Sequence, residues 1–254
     1  MSEASLGADQ RASTLARFQA HRLAWHSNPT LRQLYQRWYE RVRAALPAEG
    51  PWIELGSGPG FARDFVPGLT LTDLVVAPWH DRQVDAQALP FADGSVGALV
   101  LFDVLHHLPA PARFFTEAVR VLRPGGRIVL CEPYLSPLSY PIYRFLHEED
   151  VTLGVDPLAE TSTAGRHPFE SNQAIPTLLF SRQAAALTSR FPSLRLTHLE
   201  RLAGPAYPAS GGFARPPLLP LRLWNLLLAL EDRLPAPLFR LIGFRLLAVV
   251  ERQR

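Results

Sequence analysis

The run Glu54-Leu55-Gly56-Ser57-Gly58-Pro59-Gly60 sets an acid just ahead of three glycines spaced by single residues. Glycines at that spacing let the backbone turn tightly and lie close against a ligand, because no Cβ stands in the way. A carboxylate beside the loop suits a cationic amine better than a pyrophosphate, which it would repel. The dinucleotide spacing G-x-G-x-x-G needs a glycine at position 61, where Phe61 stands. The phosphate loop G-x-x-x-x-G-K-[ST] is ruled out, because all 26 basic residues are arginine. Asp73 closes the run Leu69-Thr70-Leu71-Thr72, and a carboxylate at a strand end can accept two hydrogen bonds from a ribose diol. His106 and His107 are adjacent; histidine serves as a base near neutral pH, and a packing role is the alternative for each. Glu132 ends another apolar run and is a candidate to orient an acceptor. His147-Glu148-Glu149-Asp150 puts one histidine beside three acids without the convergent spacing of a metal site, so a solvated turn is expected and no metal is assigned.

These residues need elements to hold them. Trp52, Ile53 and Leu55 are suited to a strand buried on both faces, so residues 51–55 predict a strand that feeds the glycine loop and a helix over about 60–66. That succession is how doubly wound α/β proteins bind nucleotide-like ligands at the carboxyl ends of their strands. Further strands are predicted at 69–73, 82–84, 98–102, 127–132, 194–201 and 246–251, and helices at 11–27, 30–46, 111–121, 172–190 and within 218–230 and 237–242. Trp25, Tyr35 and Trp38 fall on the N-terminal helices, either as a packing face or as a lid on the ligand. Only 11 residues, 74–84, separate Asp73 from Asp85, too few for a helix and a full strand, so the second crossover helix is expected to be missing or reduced.

A chain of 254 residues can bury one sizeable core, and 47% hydrophobic with 19% charged residues is ordinary for a globular domain. A net charge of +3 gives no reason to expect nucleic acid. Cys131 is the single cysteine, which excludes an intrachain disulfide framework and a multi-cysteine zinc site; within an apolar run it reads as a buried thiol. The polar N-terminus and the lack of an apolar run near the roughly 20 residues of a membrane span make a cytoplasmic protein the expectation. The leucine-rich stretch 203–243, with Arg222, Arg233 and Arg240, reads as helices packed on the domain or on a second copy of the chain. Docking on a membrane surface is its lesser reading.

Four blocks in order carry a resemblance: Glu54–Gly60, Asp85-Ala86-Gln87-Ala88-Leu89-Pro90-Phe91-Ala92-Asp93-Gly94-Ser95, Val104-Leu105-His106-His107-Leu108, and Val121-Leu122-Arg123-Pro124-Gly125-Gly126-Arg127. Together they resemble the class I S-adenosylmethionine-dependent methyltransferases, in the small-molecule branch called methyltransferase type 11. The resemblance implies an α/β, doubly wound, Rossmann-like sheet of seven mostly parallel strands, with the last strand antiparallel. It implies one domain over 1–254: a helical extension (1–48), a cofactor core (49–132), and two insertions (133–170 and 203–243) capping an acceptor site. S-adenosylmethionine would be held by Glu54, Gly56, Ser57, Gly58 and Gly60, by Asp73 at the ribose, by Leu74 or Val75 against adenine, by Asp85 and Ala86 at the adenine edge, and by Asp103 beside the methionine moiety. The expected reaction is methyl transfer to a small, largely apolar acceptor, with His106, His107, His147 and Glu132 as catalytic candidates. A cofactor-binding protein without chemistry is the alternative, and a protein or RNA methyltransferase a lesser one.

Overall fold

The computed structural model describes residues 7–159 and 169–254; Glu3 and His167 lie outside the described residues. The strands are β1 (Trp52–Leu55), β2 (Leu69–Asp73), β3 (Arg82–Gln83), β4 (Val96–Phe102), β5 (Leu122–Pro133), β6 (Leu194–Leu202) and β7 (Arg245–Arg252), and they form one sheet in the order β3-β2-β1-β4-β5-β7-β6. β1 to β5 run parallel, whereas β7 is antiparallel to both β5 and β6. This is the doubly wound α/β sheet expected. The chain order reverses direction at β1 and β4, and their carboxyl ends deliver the glycine loop and Asp103 to one edge, where such sheets bind ligands.

Alternate residues of the central strands feed two cores. Leu99, Leu101, Ile128 and Leu130 face one layer with Phe114 and Phe115 of helix α3 (Pro111–Val121). Val100, Phe102, Val129 and Cys131 face the other, where the helices α1 (Ala8–Ser27) and α2 (Pro29–Ala45) supply Trp25, Leu31, Tyr35, Trp38, Tyr39 and Val42. The period of two is why these strands read as continuous apolar runs. Asn28 caps α2 by accepting from the Leu31 N–H at 3.1 Å, and Pro29 occupies the first turn, where its missing N–H costs nothing. Tyr35 and Trp38 are buried in this layer and pack on Phe102. Burial pushes the Cys131 thiol up to about 11, as suits an inert core residue.

Five expectations are corrected. The helix at 60–66 is only a short 3₁₀ turn, Phe61–Asp64, because Pro67 disfavours helical geometry at Val66 and Gly68 turns the chain with φ 84°. The helix at 172–190 is broken: a π-type turn, Leu178–Arg182, separates Ile175–Thr177 from helix α5 (Ala184–Arg190), and Gln183 leaves helical geometry at the junction. β5 starts five residues early, at Leu122, because the turn Arg123–Gly126 bulges out between two stretches paired with β4. Residues 133–170 are not wholly irregular, since Ser139–Leu146 forms helix α4. Helix α6 runs over Leu221–Glu231 rather than from Leu218, its start set by Pro220. α6 buries Trp224 and Leu228 and leaves Leu221, Leu223, Leu226 and Leu230 exposed. Among the described residues no helix is long and apolar enough to cross a membrane.

Candidate cofactor and acceptor site

The glycine loop adopts left-handed backbone at Gly56 (φ 67°), Gly58 (φ 49°) and Gly60 (φ 78°). A Cβ at Gly56 would stand 2.6 Å from Val104 Cγ2, and one at Gly60 would stand 2.5 Å from Trp79 Cδ1, so both positions demand glycine twice over. Ser57 ties the loop to β2: its N–H donates to the Thr72 carbonyl at 2.9 Å and its Oγ accepts the Thr72 N–H at 3.1 Å. Glu54 is 1% exposed at the head of the loop. Its Oε1 accepts from the Tyr39 hydroxyl at 3.2 Å, while its Oε2 is buried with no hydrogen-bond partner. Burial, working against the Tyr39 hydrogen bond, raises this carboxyl to about 7.

Asp73 lies at the carboxyl end of β2 and faces the loop. Its Oδ2 accepts the Gly58 N–H at 2.8 Å and its Oδ1 the Val75 N–H at 3.0 Å. Burial raises its pKa against these bonds. The shortened segment after it takes the place of a crossover helix. Trp79 Nε1 donates to the Gly58 carbonyl at 2.7 Å. His80 Nδ1 accepts the Ala77 N–H at 3.1 Å, which leaves Nε2 to carry the proton and donate to the same Gly58 carbonyl at 2.7 Å. Phe18 of α1, Val75 and Ala77 are buried together there, with Leu74, Trp79 and Phe169 packed on them. Val75 is thus the deeper of the two residues expected against adenine. Asp85 Oδ1 accepts the Gln87 N–H at 2.8 Å and shapes the turn before the buried Ala86.

Asp103 follows β4 with φ 57°, a conformation rare for a residue with a Cβ. Its Oδ1 lies 2.6 Å from Nη2 of Arg245, which is 1% exposed and also donates to the Cys131 carbonyl at 3.1 Å. The Arg245 guanidinium lies over the rings of Trp38 (4.7 Å), Phe102 (5.0 Å) and Tyr207 (5.8 Å). Burial raises the Asp103 carboxyl despite Arg245. Burial opposes the guanidinium charge, but Asp103 outweighs it and holds Arg245 firmly protonated. Tyr35, Phe61 and Phe213 continue this aromatic wall, and His21 stacks on Phe213 at 4.4 Å. Burial and Arg17 lower His21 to about 4, so it is neutral.

The remaining candidates converge on the short turn Leu105–His107. Glu132 is fully buried at the end of β5; its Oε1 accepts the N–H groups of Val104 and Leu105 at 2.8 Å each, and its Oε2 lies 2.6 Å from His106 Nδ1. His106 Nε2 lies 3.2 Å from Glu149 Oε2, and His107 Nε2 lies 3.7 Å from Glu149 Oε1. Burial opposes the His106 charge, but Glu132 and then Glu149 outweigh it and push its pKa up to about 10. Burial would raise Glu149, but the hydrogen bond and charge of His106 hold it well below the usual carboxylate range. His147 is at the exposed rim, its Nδ1 2.9 Å from Gln173 Nε2, which also donates to Glu149 Oε2 at 3.0 Å. The structure therefore gathers His106, His107, His147 and Glu132 around Glu149 and Gln173.

With that geometry in hand, residues 54–130 match the family described as "Methyltransferase domain". These residues form a class I S-adenosylmethionine-dependent methyltransferase core. Over 131 residues the chain is 30% identical to the 27-O-demethylrifamycin SV methyltransferase of Amycolatopsis mediterranei (strain S699), covering 42% of this chain and 48% of that protein. Over 93 residues it is 46% identical to the demethylmenaquinone methyltransferase of Clavibacter sepedonicus, covering 35% of each. The chain thus spans less than half the length of these curated relatives. A chain of the Haloferax volcanii complex between the Trm112 methyltransferase activator and a methyltransferase shares the fold, with a TM-score of 0.51 and 17% identity, over 97% of both chains.

The residues of the methyltransferase core fit S-adenosylmethionine. The orphaned Glu54 oxygen is a buried acceptor beside the glycine loop, and the donor's ammonium is a group that could satisfy it. The Asp73 oxygens accept the Gly58 and Val75 N–H groups, and a carboxylate oxygen has a second lone pair that could accept from a ribose hydroxyl. Sequence reasoning missed Arg245, Tyr207, Phe213, Glu149 and Gln173. Nothing local marks Arg245 among the 26 arginines, and its burial follows from its place at the start of β7. Gln173 carries no local signal.

Proposed function

We propose that this chain transfers the methyl group of S-adenosylmethionine to a small, largely apolar acceptor. Glu54 carries the proposal: an unsatisfied buried carboxylate oxygen at the head of a glycine loop, within a methyltransferase core. The bound donor supplies a methyl group already activated on a sulfonium. The chain's task is then to align an acceptor atom in line with that bond and to exclude water. Tyr207 and Phe213, the partly exposed rings of the aromatic layer beside Asp103, suit an apolar acceptor. The two relatives named for a rifamycin and for demethylmenaquinone support a small molecule. Arg245 positions Asp103. Glu132 has both oxygens engaged, so it positions His106 instead of an acceptor. His106 donates from both nitrogens and is not available as a base; His107 is the better placed candidate if an acceptor hydroxyl has to lose its proton, with His147 further out at the rim.

One observation keeps a second reading open, a protein that retains the fold, with or without the donor, but not the chemistry: the segment after Asp73 is short, and its Trp79 and His80 already engage the Gly58 carbonyl. To separate the two, the protein is incubated with methyl-labelled donor and a panel of phenolic, quinone-like and lipid acceptors. Labelled product from any class supports the transferase. Donor binding with no transfer to any class favours the second reading.

A further inference from the structure

We infer that His106, His107 and Glu149 form a binding site for a divalent first-row metal ion of the zinc class, on the edge of the sheet where the acceptor would sit. Their ligand atoms all lie within 4.8 Å of one another. Two ligands of a tetrahedral zinc site, each about 2.0–2.1 Å from the ion, stand about 3.3 Å apart. His106 Nε2 lies 3.2 Å from Glu149 Oε2 and His107 Nε2 lies 3.7 Å from Glu149 Oε1, so each histidine stands near that spacing from one of the two carboxylate oxygens.

The support behind the ligands is of the kind that metal sites use. Ligating histidines usually hand their second ring N–H to a carboxylate, which fixes the tautomer and the ring orientation. Glu132 takes the Nδ1–H of His106 at 2.6 Å, and is itself held by the N–H groups of Val104 and Leu105. Nε2 is thereby aimed at Glu149. Gln173, 2% exposed, holds Glu149 from its other side through Nε2, and its Oε1 is buried without a hydrogen-bond partner, an unsatisfied oxygen beside the cluster. Charge also balances. Glu132 and Glu149 bring two negative charges, against which a neutral His106 and a divalent ion sum to zero. When the ion enters, the Nε2 proton leaves to solvent. Two imidazoles and a carboxylate make a borderline nitrogen–oxygen set suited to zinc or cobalt rather than magnesium or calcium. Three protein ligands leave a fourth position for water or an acceptor oxygen. With the ion bound, neither His106 nor His107 would be available as a base.

This inference stands apart from methyl transfer, and its test needs no methyl donor. The full chain is stripped with a chelator, dialysed and titrated with Co²⁺, then with Zn²⁺ in competition. The expected result is one ion per chain, a visible cobalt spectrum of tetrahedral intensity, and its loss on adding zinc. Glu149→Gln and His107→Gln should each weaken binding at least tenfold, with folding checked by circular dichroism. His198→Gln, on the exposed far strand, should bind as the parent does. Should one ligand variant fail to fold, the other decides. No stoichiometric ion, or binding unchanged in a folded Glu149→Gln or His107→Gln variant, overturns the site. A chain that binds the ion but no S-adenosylmethionine would leave this inference intact and remove the proposed function.

Discussion

Arg245→Met is the most informative single perturbation of the fold at the site. It leaves Asp103, already in an unfavourable backbone conformation, without its cation, and removes a donor from the Cys131 carbonyl. Losing one partner of a buried ion pair costs about 3–5 kcal/mol. Asp103 keeps 30% of its side chain exposed, so water takes over part of the role. That places the loss at the low end, about 3 kcal/mol, or roughly 6–12 °C in the unfolding midpoint for a chain of this size. The loss should also depend on pH. Removing the guanidinium raises the folded pKa of Asp103 further above its unfolded value. An acid so shifted contributes full stability below the unfolded value and loses it as pH rises to the folded one; parent and variant lose it alike up to the raised pKa that Asp103 already has in the parent, so the deficit of Arg245→Met should grow only above that point. Urea titrations of Arg245→Met, Asp103→Asn and the double variant measure this directly. The double variant should recover at least 1 kcal/mol relative to the sum of the singles. A loss under about 1 kcal/mol, or additivity within about 0.3 kcal/mol, would refute the reasoning.

Other outcomes follow from the same geometry. Gly60→Ala forces a Cβ into Trp79 at a left-handed position and should cost about 2 kcal/mol or more, with a changed tryptophan emission spectrum. Glu54 has a folded pKa of about 7, so its stability contribution is complete below about pH 4 and is lost as pH rises through 7, by about 3 kcal/mol in all. The donor's ammonium offsets that loss, so donor affinity should rise between about pH 6 and 7.5, and Glu54→Gln should flatten both profiles; calorimetry in two buffers reads the proton release. Asp73→Ala leaves the Gly58 and Val75 N–H groups without acceptors at about 1–3 kcal/mol and should weaken donor binding about tenfold.

Much of this was legible in the residues, for reasons that differ by element. The strands β1, β2 and β4 are buried on both faces and so carry an apolar signal with sharp ends. Helix α3 matched at both ends because Pro111 opens it and Leu122 passes straight into β5. The glycine loop was readable because three left-handed positions leave little choice of residue. What escaped depended on contacts far apart in sequence. The break at Gln183 is announced by no proline or glycine within the turn Leu178–Arg182. Glu149 sat in an acidic run that read as solvated, yet folding carries it more than 40 positions back onto His106. Glu132 stood out as a strand-end acid and was expected to orient an acceptor, but its two N–H donors and its histidine appear only once β4 and β5 are paired.

The most direct test of the central claim is calorimetric titration of the purified chain with S-adenosylmethionine and, separately, with S-adenosylhomocysteine. The account predicts one site per chain for each ligand, with both affinities reduced in Asp73→Ala. Absence of binding by either ligand to the folded protein would contradict it, and would mean that Trp79, His80 and the shortened segment after Asp73 close the glycine loop instead of serving it.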